Sequence, residues 1–281
     1  MSRMIWLGAV CFAEFEGDYL DFLDFAAEKQ LESVEFKHEP PLSQREGSLR
    51  SDLISQKAAR AGITLAVHTR FQGLNIASLD DDEWNRSVKE VEDSLKFARD
   101  IGAPRATVHV GELPAAQYSP DNLRESQRRS VRALKRLTAF AEEAGVRICL
   151  ENSNGFTRAK IKHAVSPGQL KRLRSELQNR VLYTLDLGHG LYFGSDPSYL
   201  FDELNPALIG LSHLHDNNGE RDQHLRLGSG VLQVERLFQR YIEECWGFPL
   251  NIEVKSLPDL TASIDYADKI LSTLKLEPCQ R

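Results

Sequence analysis

The sequence predicts an α/β protein folded as a single (β/α)8 barrel, the TIM barrel architecture, and three observations predict it. Short apolar or β-branched runs alternate with segments of helical length, and the alternation repeats eight times with the strand leading each unit. Helices close on Ala61-Gly62, Ile101-Gly102 and Ala144-Gly145, each just ahead of the next strand. After the first strand the chain reads CFAEFEGDYL, from Cys11 to Leu20, without the glycine-rich phosphate loop that an open doubly wound sheet would place there.

The first strand, Ile5 to Val10, is a continuous apolar run, as expected of a strand covered on both faces. Behind Arg3 the stretch Met4 to Ala13 imitates a short secretion signal, but a core strand fits the repeat better. The second strand, Ser33 to Phe36, carries Glu35, and the third, Ile63 to His68, follows the first glycine stop. The helix after it has Trp84, Val88, Val91, Leu95 and Ala98 at offsets of 4, 3, 4 and 3, which line up as one apolar stripe. The fourth and fifth strands are Arg105 to Val110 and Arg147 to Glu151. Between them Arg124, Arg128, Arg132 and Arg136 recur every four residues on an outer helix, where a solvated face is the expectation. Val181 to Asp186, Leu208 to His213 and Leu250 to Val254 complete the set. No linker or shift of composition divides the chain, so residues 1–281 are expected to form one domain.

With 41% hydrophobic and 27% charged residues, the 281-residue chain is neither disordered nor fibrous. Thirty-five basic against 41 acidic residues leave a charge of -6, which gives no overall field to draw in a polyanion. No apolar run reaches the ~18 residues of a membrane span. Cys11, Cys149, Cys245 and Cys279 are far apart with no paired spacing, which favours a reduced, cytoplasmic setting.

In a barrel of this type the chemistry sits where strands run out into their following loops. Those positions hold His68, His109, Glu151, Asp186 with His189 three residues on, His213 and Glu253, and the loop after the seventh strand adds Asp222 and His224. Ionised carboxylates are costly to bury in apolar strands, and several together repel one another. Imidazoles and carboxylates on one rim are the donor set of a divalent cation, zinc, manganese or iron, which removes that conflict.

The strings VHTRFQGLNIAS, VHVGE, LENSNG, LDLGHG, HLHDNNGERDQHLRLGSG and IEV resemble the xylose isomerase-like barrel superfamily, which holds endonuclease IV and the sugar-phosphate isomerases and epimerases. The resemblance runs from the third strand to the eighth. It implies up to three metal ions. His68 and His109 would hold one, with Glu151 bridging to a second that Asp186, His213 and Glu253 complete, and His189, Asp222 and His224 would hold the third. The chain departs from the endonuclease pattern at His213-Leu214-His215-Asp216, where that pattern runs His-Leu-Asn-Asp, and at Gly228-Ser229-Gly230, where it runs Gly-Glu-Gly. Both departures bear on the substrate more than on the metals.

Glu151 and Glu253 are the expected catalytic carboxylates. His215, two residues past His213 and so on the same strand face, is a candidate substrate contact along with Asn152, Phe71 and Lys255. Loop capping and solvated charge account equally well for Asn152 and Lys255.

Two reactions fit such a rim. A multinuclear cluster suits hydrolysis of a small phosphate-bearing or sugar-like substrate, and the ligand count favours it. The alternative is a metal-dependent sugar or sugar-phosphate isomerase or epimerase, for which Glu151, Asp186, His213 and Glu253 suffice. Cleavage of abasic DNA comes third, because the mouth offers only Arg45, Arg50, Arg70 and Phe71 to grip a strand.

Overall fold

A computed structural model describes residues 3–155, 158–191 and 197–274. In chain order the elements begin with β1 (Leu7–Cys11), α1 (Tyr19–Glu28), β2 (Ser33–Lys37), α2 (Ser51–Ala61), β3 (Thr64–His68) and α3 (Asp81–Asp100). They continue with β4 (Arg105–Val108), β5 (Glu112–Pro114), α4 (Pro120–Glu143), β6 (Arg147–Glu151), β7 (Lys160–Lys162), α5 (Pro167–Glu176) and β8 (Leu182–Asp186). The last are α6 (Leu187–Gly190), α7 (Tyr199–Leu204), β9 (Ile209–Leu214), α8 (Val234–Glu243), β10 (Leu250–Ile252) and α9 (Leu257–Thr273).

Eight of these strands close into a parallel barrel in the order β1, β2, β3, β4, β6, β8, β9, β10, and β10 pairs back onto β1. They are the eight expected strands with ends moved by a residue or two, β1, β2 and β9 running one residue further than expected and the others shorter or unchanged at their ends. β4 stops at Val108 and β10 at Ile252, so His109 and Glu253 lie just beyond their ladders, where backbone is free to turn a side chain over the barrel mouth. Gly62, Gly102 and Gly145 have φ of +69°, +73° and +73°, the left-handed turn that lets each preceding helix drop directly into a strand.

The apolar stripe of α3 is buried against the barrel, with Val88, Leu95 and Ala98 fully covered. At its N-terminus the Asp80 carboxylate accepts from the Glu83 N–H. The arginine stripe of α4 is only partly the solvated face expected of it. Arg132 lies over the Trp84 ring at 4.3 Å, and Arg136 makes a two-pronged bond to Glu92 on α3. Those two cations therefore fasten neighbouring helices together.

β5 and β7 form a separate antiparallel pair outside the barrel, with Glu112 opposite Lys162. Strands of three residues, half of them polar, carry no readable period, which is why the sequence does not announce them. Inside the barrel, beneath the rim, the filling is polar. Thr107 donates to Glu35 at 2.6 Å and lies 2.8 Å from Thr184, and the Asn251 amide also donates to Glu35. Cys11 and Cys149 are buried free thiols, and Cys279 lies outside the described residues. Among the described residues no helix is long and apolar enough to cross a membrane.

Candidate metal centre

Each rim side chain is placed by a local device. Asp186 ends β8 and caps the single turn of α6, its carboxylate accepting from the His189 N–H at 2.7 Å, so the Asp-x-x-His spacing turns both side chains toward one point. Between them Gly188 faces the His215 imidazole so closely that a Cβ would stand 1.9 Å from a ring carbon, which explains the glycine in LDLGHG. Asn152 brackets Asp186 from β6, accepting from its N–H at 2.7 Å and donating to its carbonyl at 2.8 Å. After β9 the buried Asp216 carboxylate accepts from the N–H groups of Gly228, Gly230 and Leu232. The loop folds back through a bridge between Asp216 and Leu225, carrying Asp222 and His224 over the rim. Asn154 steadies Asp222 by donating to it at 3.0 Å.

Glu151 sits at the middle. Its Oε2 is 2.6 Å from His109 Nε2 and 3.6 Å from His68 Nε2, while its Oε1 is 3.1 Å from His213 Nδ1. His213 Nδ1 in turn lies 3.1 Å from Glu253 Oε2 and 3.8 Å from Asp186 Oδ2. On the far side Asp222 spans two imidazoles, 3.3 Å from His189 Nε2 and 3.2 Å from His224 Nε2. His215 Nε2 approaches Asp186 at 3.2 Å and its ring stacks on His224 at 3.9 Å.

These contacts set the charge states. Burial alone would raise Glu151 and Glu253, but the neighbouring imidazoles, and for Glu253 above all Lys37, hold both carboxyls well below their ordinary range. Asp186 and Asp222 are likewise held down against burial by their histidines. Burial opposes charge on His189, yet Asp186, Asp222 and Glu151 outweigh it and push the imidazole up to about 10. His213 and His215 rise for the same reason, whereas His109 is lowered because burial prevails over Glu151.

The donor set fits divalent ions. Four sets of candidate ligand atoms each converge within 4.8 Å: His68, His109 and Glu151; Glu151, Asp186, His213 and Glu253; Asp186, His189 and His215; and His215, His224 and Glu253. Several of the atoms are buried without a hydrogen bond, namely Glu151 Oε2, Asp222 Oδ1 and His215 Nδ1. For Glu151 Oε2 this holds even at 2.6 Å from His109, because the two atoms are near each other but poorly aligned, as atoms aimed at a common ion would be. His68 donates through Nδ1 to the Thr69 carbonyl, and His224 likewise to the Glu253 carbonyl, which leaves both Nε2 atoms toward the cluster.

The rim opens into a cavity of about 690 Å³. Eight of the nine residues expected as ligands fall in the four convergent sets, and Asp222 does not: His189 groups with Asp186 and His215, and His224 with His215 and Glu253, so the expected trio of His189, Asp222 and His224 is linked only through the two oxygens of Asp222. Phe71 lines the cavity, tilted over His109 at 4.3 Å, and Lys255 stands exposed at its edge. Asn152 and His215 are buried beneath it, one committed to the Asp186 backbone and the other set against the Asp186 carboxylate. Of the strand-gripping candidates, Arg45 donates to the carbonyls of Phe15 and Gly17, Arg70 pairs with Glu90 and Glu39, and the exposed Arg50 pairs with Asp52.

Lys37, at the end of β2, was absent from the expected set. It lies 2.6 Å from Glu253 Oε1 and faces the cavity, while Glu35 on the same strand is 3.1 Å from His213 Nε2. The alternation of Ser33, Glu35 and Lys37 with Val34 and Phe36 was the available signal, since every second residue of a barrel strand points inward.

Comparison with known proteins agrees with this architecture. A protein of Methanocaldococcus jannaschii described as uncharacterized is 26% identical over 207 residues, 73% of this chain and 69% of that protein. A probable endonuclease 4 of Thermotoga maritima is 29% identical over 182 residues, 58% of each chain. Among solved structures, a D-tagatose 3-epimerase-like protein superposes with a TM-score of 0.79 at 22% identity, covering 91% of this chain and 96% of its own. D-psicose 3-epimerase from Clostridium cellulolyticum H10 gives 0.75 at 17% identity, covering 95% and 99%. The model of the xylose isomerase-like TIM barrel family matches residues 23–270, and the chain belongs to that family.

Proposed function

We propose that this chain is a divalent-metal-dependent hydrolase of a small phosphate-bearing or sugar-like substrate, with two metal sites that share Glu151. The observation that carries the reading is the division of that carboxylate, one oxygen toward His68 and His109 and the other toward His213. A site for one ion would leave the histidine pair without purpose. Divalent ions held there, zinc, manganese or iron, would supply the charge that activates water and stabilises a departing phosphate oxygen. His189, Asp222 and His224 are the proposed holders of a third ion.

The chain's own residues fit that role. Lys37 holds Glu253 Oε1, so Glu253 faces the cluster through Oε2 as an oriented ligand and not as a free base. Phe71 covers His68 and His109 and limits solvent on that side. Lys160 and Lys162 both pair with the Glu112 carboxylate and line the cavity, which brings two cations to the wall that a phosphate group would meet. The named relative, a probable endonuclease 4, supports phosphoester chemistry. DNA itself is a poorer fit, since Arg45 and Arg70 are engaged within the protein.

A second reading, metal-dependent isomerisation or epimerisation of a sugar or sugar phosphate, is favoured by two observations. Glu151, Asp186, His213 and Glu253 form a complete set by themselves, and solved structures of similar fold carry epimerase names. There Glu151 and Glu253 would exchange a proton with a substrate carbon, and Glu253 Oε1 would first have to part from Lys37. Metal-loaded protein incubated in ¹⁸O-labelled heavy water with a panel of phosphoesters and sugar phosphates separates the two. Incorporation of ¹⁸O into a cleaved product is expected. Deuterium on carbon without cleavage would refute hydrolysis in favour of the second reading.

A further inference from the structure

On the outside of the barrel, a cavity of about 240 Å³ lies between α4 and α5 and shares no lining residue with the cavity of the metal centre. Three cations reach it from two helices: Arg124 and Arg128, one turn apart on α4, and Arg172 on α5. They are the part of the α4 arginine stripe, with one addition, that no neighbouring helix uses. Each has a carboxylate nearby, Asp121, Glu125 and Glu176 respectively, with the latter two at 3.4 and 3.9 Å. All three pairs are exposed and local to their own helix, and such pairs contribute little and exchange readily for a better partner.

The cavity is also lined by His163, a polar side chain only 3% exposed. The Ser126 hydroxyl donates to the Ala77 carbonyl at 2.8 Å, so the 2.8 Å contact between Ser126 Oγ and His163 Nε2 must be a bond donated by the imidazole. That fixes the neutral tautomer with Nδ1 bare, and Nδ1 is buried with no partner. A buried nitrogen without a partner is costly unless something in the cavity supplies one. Burial also keeps the ring neutral, lowered to about 4.

We propose that this cavity is a second ligand site, separate from the metal centre, that takes a small phosphate-bearing anion. Arg124, Arg128 and Arg172 would grip its oxygens through guanidinium forks. His163 Nδ1 would accept from a hydroxyl or a protonated oxygen of the same ligand. The site backs onto the active-site wall, because His163 directly follows β7 and its N–H donates to the Gly111 carbonyl, two residues from His109.

The test uses inorganic pyrophosphate and full-length protein stripped of metal with a chelator, so that the rim holds no ions to bind the probe. Calorimetric titration should give one equivalent bound, weakening with salt. R128A/R172A should lose at least tenfold in affinity, with the thermal midpoint of the free protein unchanged because both side chains are exposed. Lys160→Ala, which removes a cation of the metal-centre cavity, should leave the equivalent that depends on Arg128 and Arg172 unchanged. Binding that survives R128A/R172A, binding lost in Lys160→Ala instead, or no heat up to millimolar probe would each overturn the proposal. None of these outcomes depends on which reaction the metal centre performs.

Discussion

Replacing Glu151 by glutamine tests the shared carboxylate directly, and the structure makes the two halves of the site respond unequally. The set built on His68 and His109 has no anionic member other than Glu151, whereas the set built on His213 keeps Asp186 and Glu253. At an effective dielectric of about 20, one unit charge acting on another about 4 Å away amounts to roughly 4 kcal/mol, and a neutral amide forfeits it. That is about three powers of ten in affinity for the first set. With two carboxylates remaining, the second set should weaken by about tenfold to a hundredfold, the loss seen when a supporting group is removed from an intact site. Elemental analysis by mass spectrometry, after dialysis of parent and Glu151→Gln against micromolar zinc, reads both effects. The variant should lose one equivalent outright, and a second should become dependent on the zinc concentration. A variant that retains its full metal content, or in which only one equivalent weakens while the other is unchanged, would refute the bridge.

Asp222→Asn should lose one metal equivalent and leave the other two, which the same measurement resolves, since among the described residues Asp222 is the carboxylate that contacts both His189 and His224. Gly188→Ala should push its Cβ into the His215 ring, lowering stability by roughly 1–3 kcal/mol and disturbing Asp186; an unchanged thermal midpoint would contradict the contact. His38 is held neutral, lowered to about 4 by burial and then by Arg70, with Nδ1 3.0 Å from Ser94 Oγ. A histidine depressed on folding contributes stability above its unfolded value near 6.5 and loses it as the pH falls toward 4. Between pH 7.5 and 5 the loss is about 2 kcal/mol, and urea unfolding of His38→Gln should show a pH dependence weaker by that amount.

The barrel was legible because short apolar or β-branched runs recur eight times between helical segments, three of them just after a helix-closing glycine, and because the candidate ligand residues gather at the ends of those runs. Glu35 and Lys37 were harder to read. A four- or five-residue strand looks the same whether its charged residues face water or the barrel interior, and only the parity with Ser33 separates the two cases. β5 and β7 exist because their chain is held against the barrel top, with Asn75 donating to the Glu112 carbonyl and Lys162 pairing with Glu112. That is a tertiary cause, with no local signature. His215 illustrates the limit differently. Its position past His213 placed it on the right face, but only the fold could show that it packs beneath the rim, between Asp186 and His224.

The ligand-bearing elements form an arc, not a ring. β3, β4, β6, β8, β9 and β10 each deliver a residue to the cluster, while β1 and β2, side by side, deliver no member of the four convergent ligand sets. What these two strands present to the cavity is Phe12 and Glu14 beyond β1 and Lys37 at the end of β2. If the proposed reading holds, the opening over them is where the part of a substrate that does not react would lie, against an aromatic ring, a carboxylate and a lysine tied to Glu253. On the proposed reading, metal chemistry and specificity would be divided between different strands. The metal arc can be read from residue types alone, because ions accept few donors. The β1–β2 side is built from side chains whose meaning depends on the partner they meet, so the same sequence that exposes its metal centre keeps its substrate hidden.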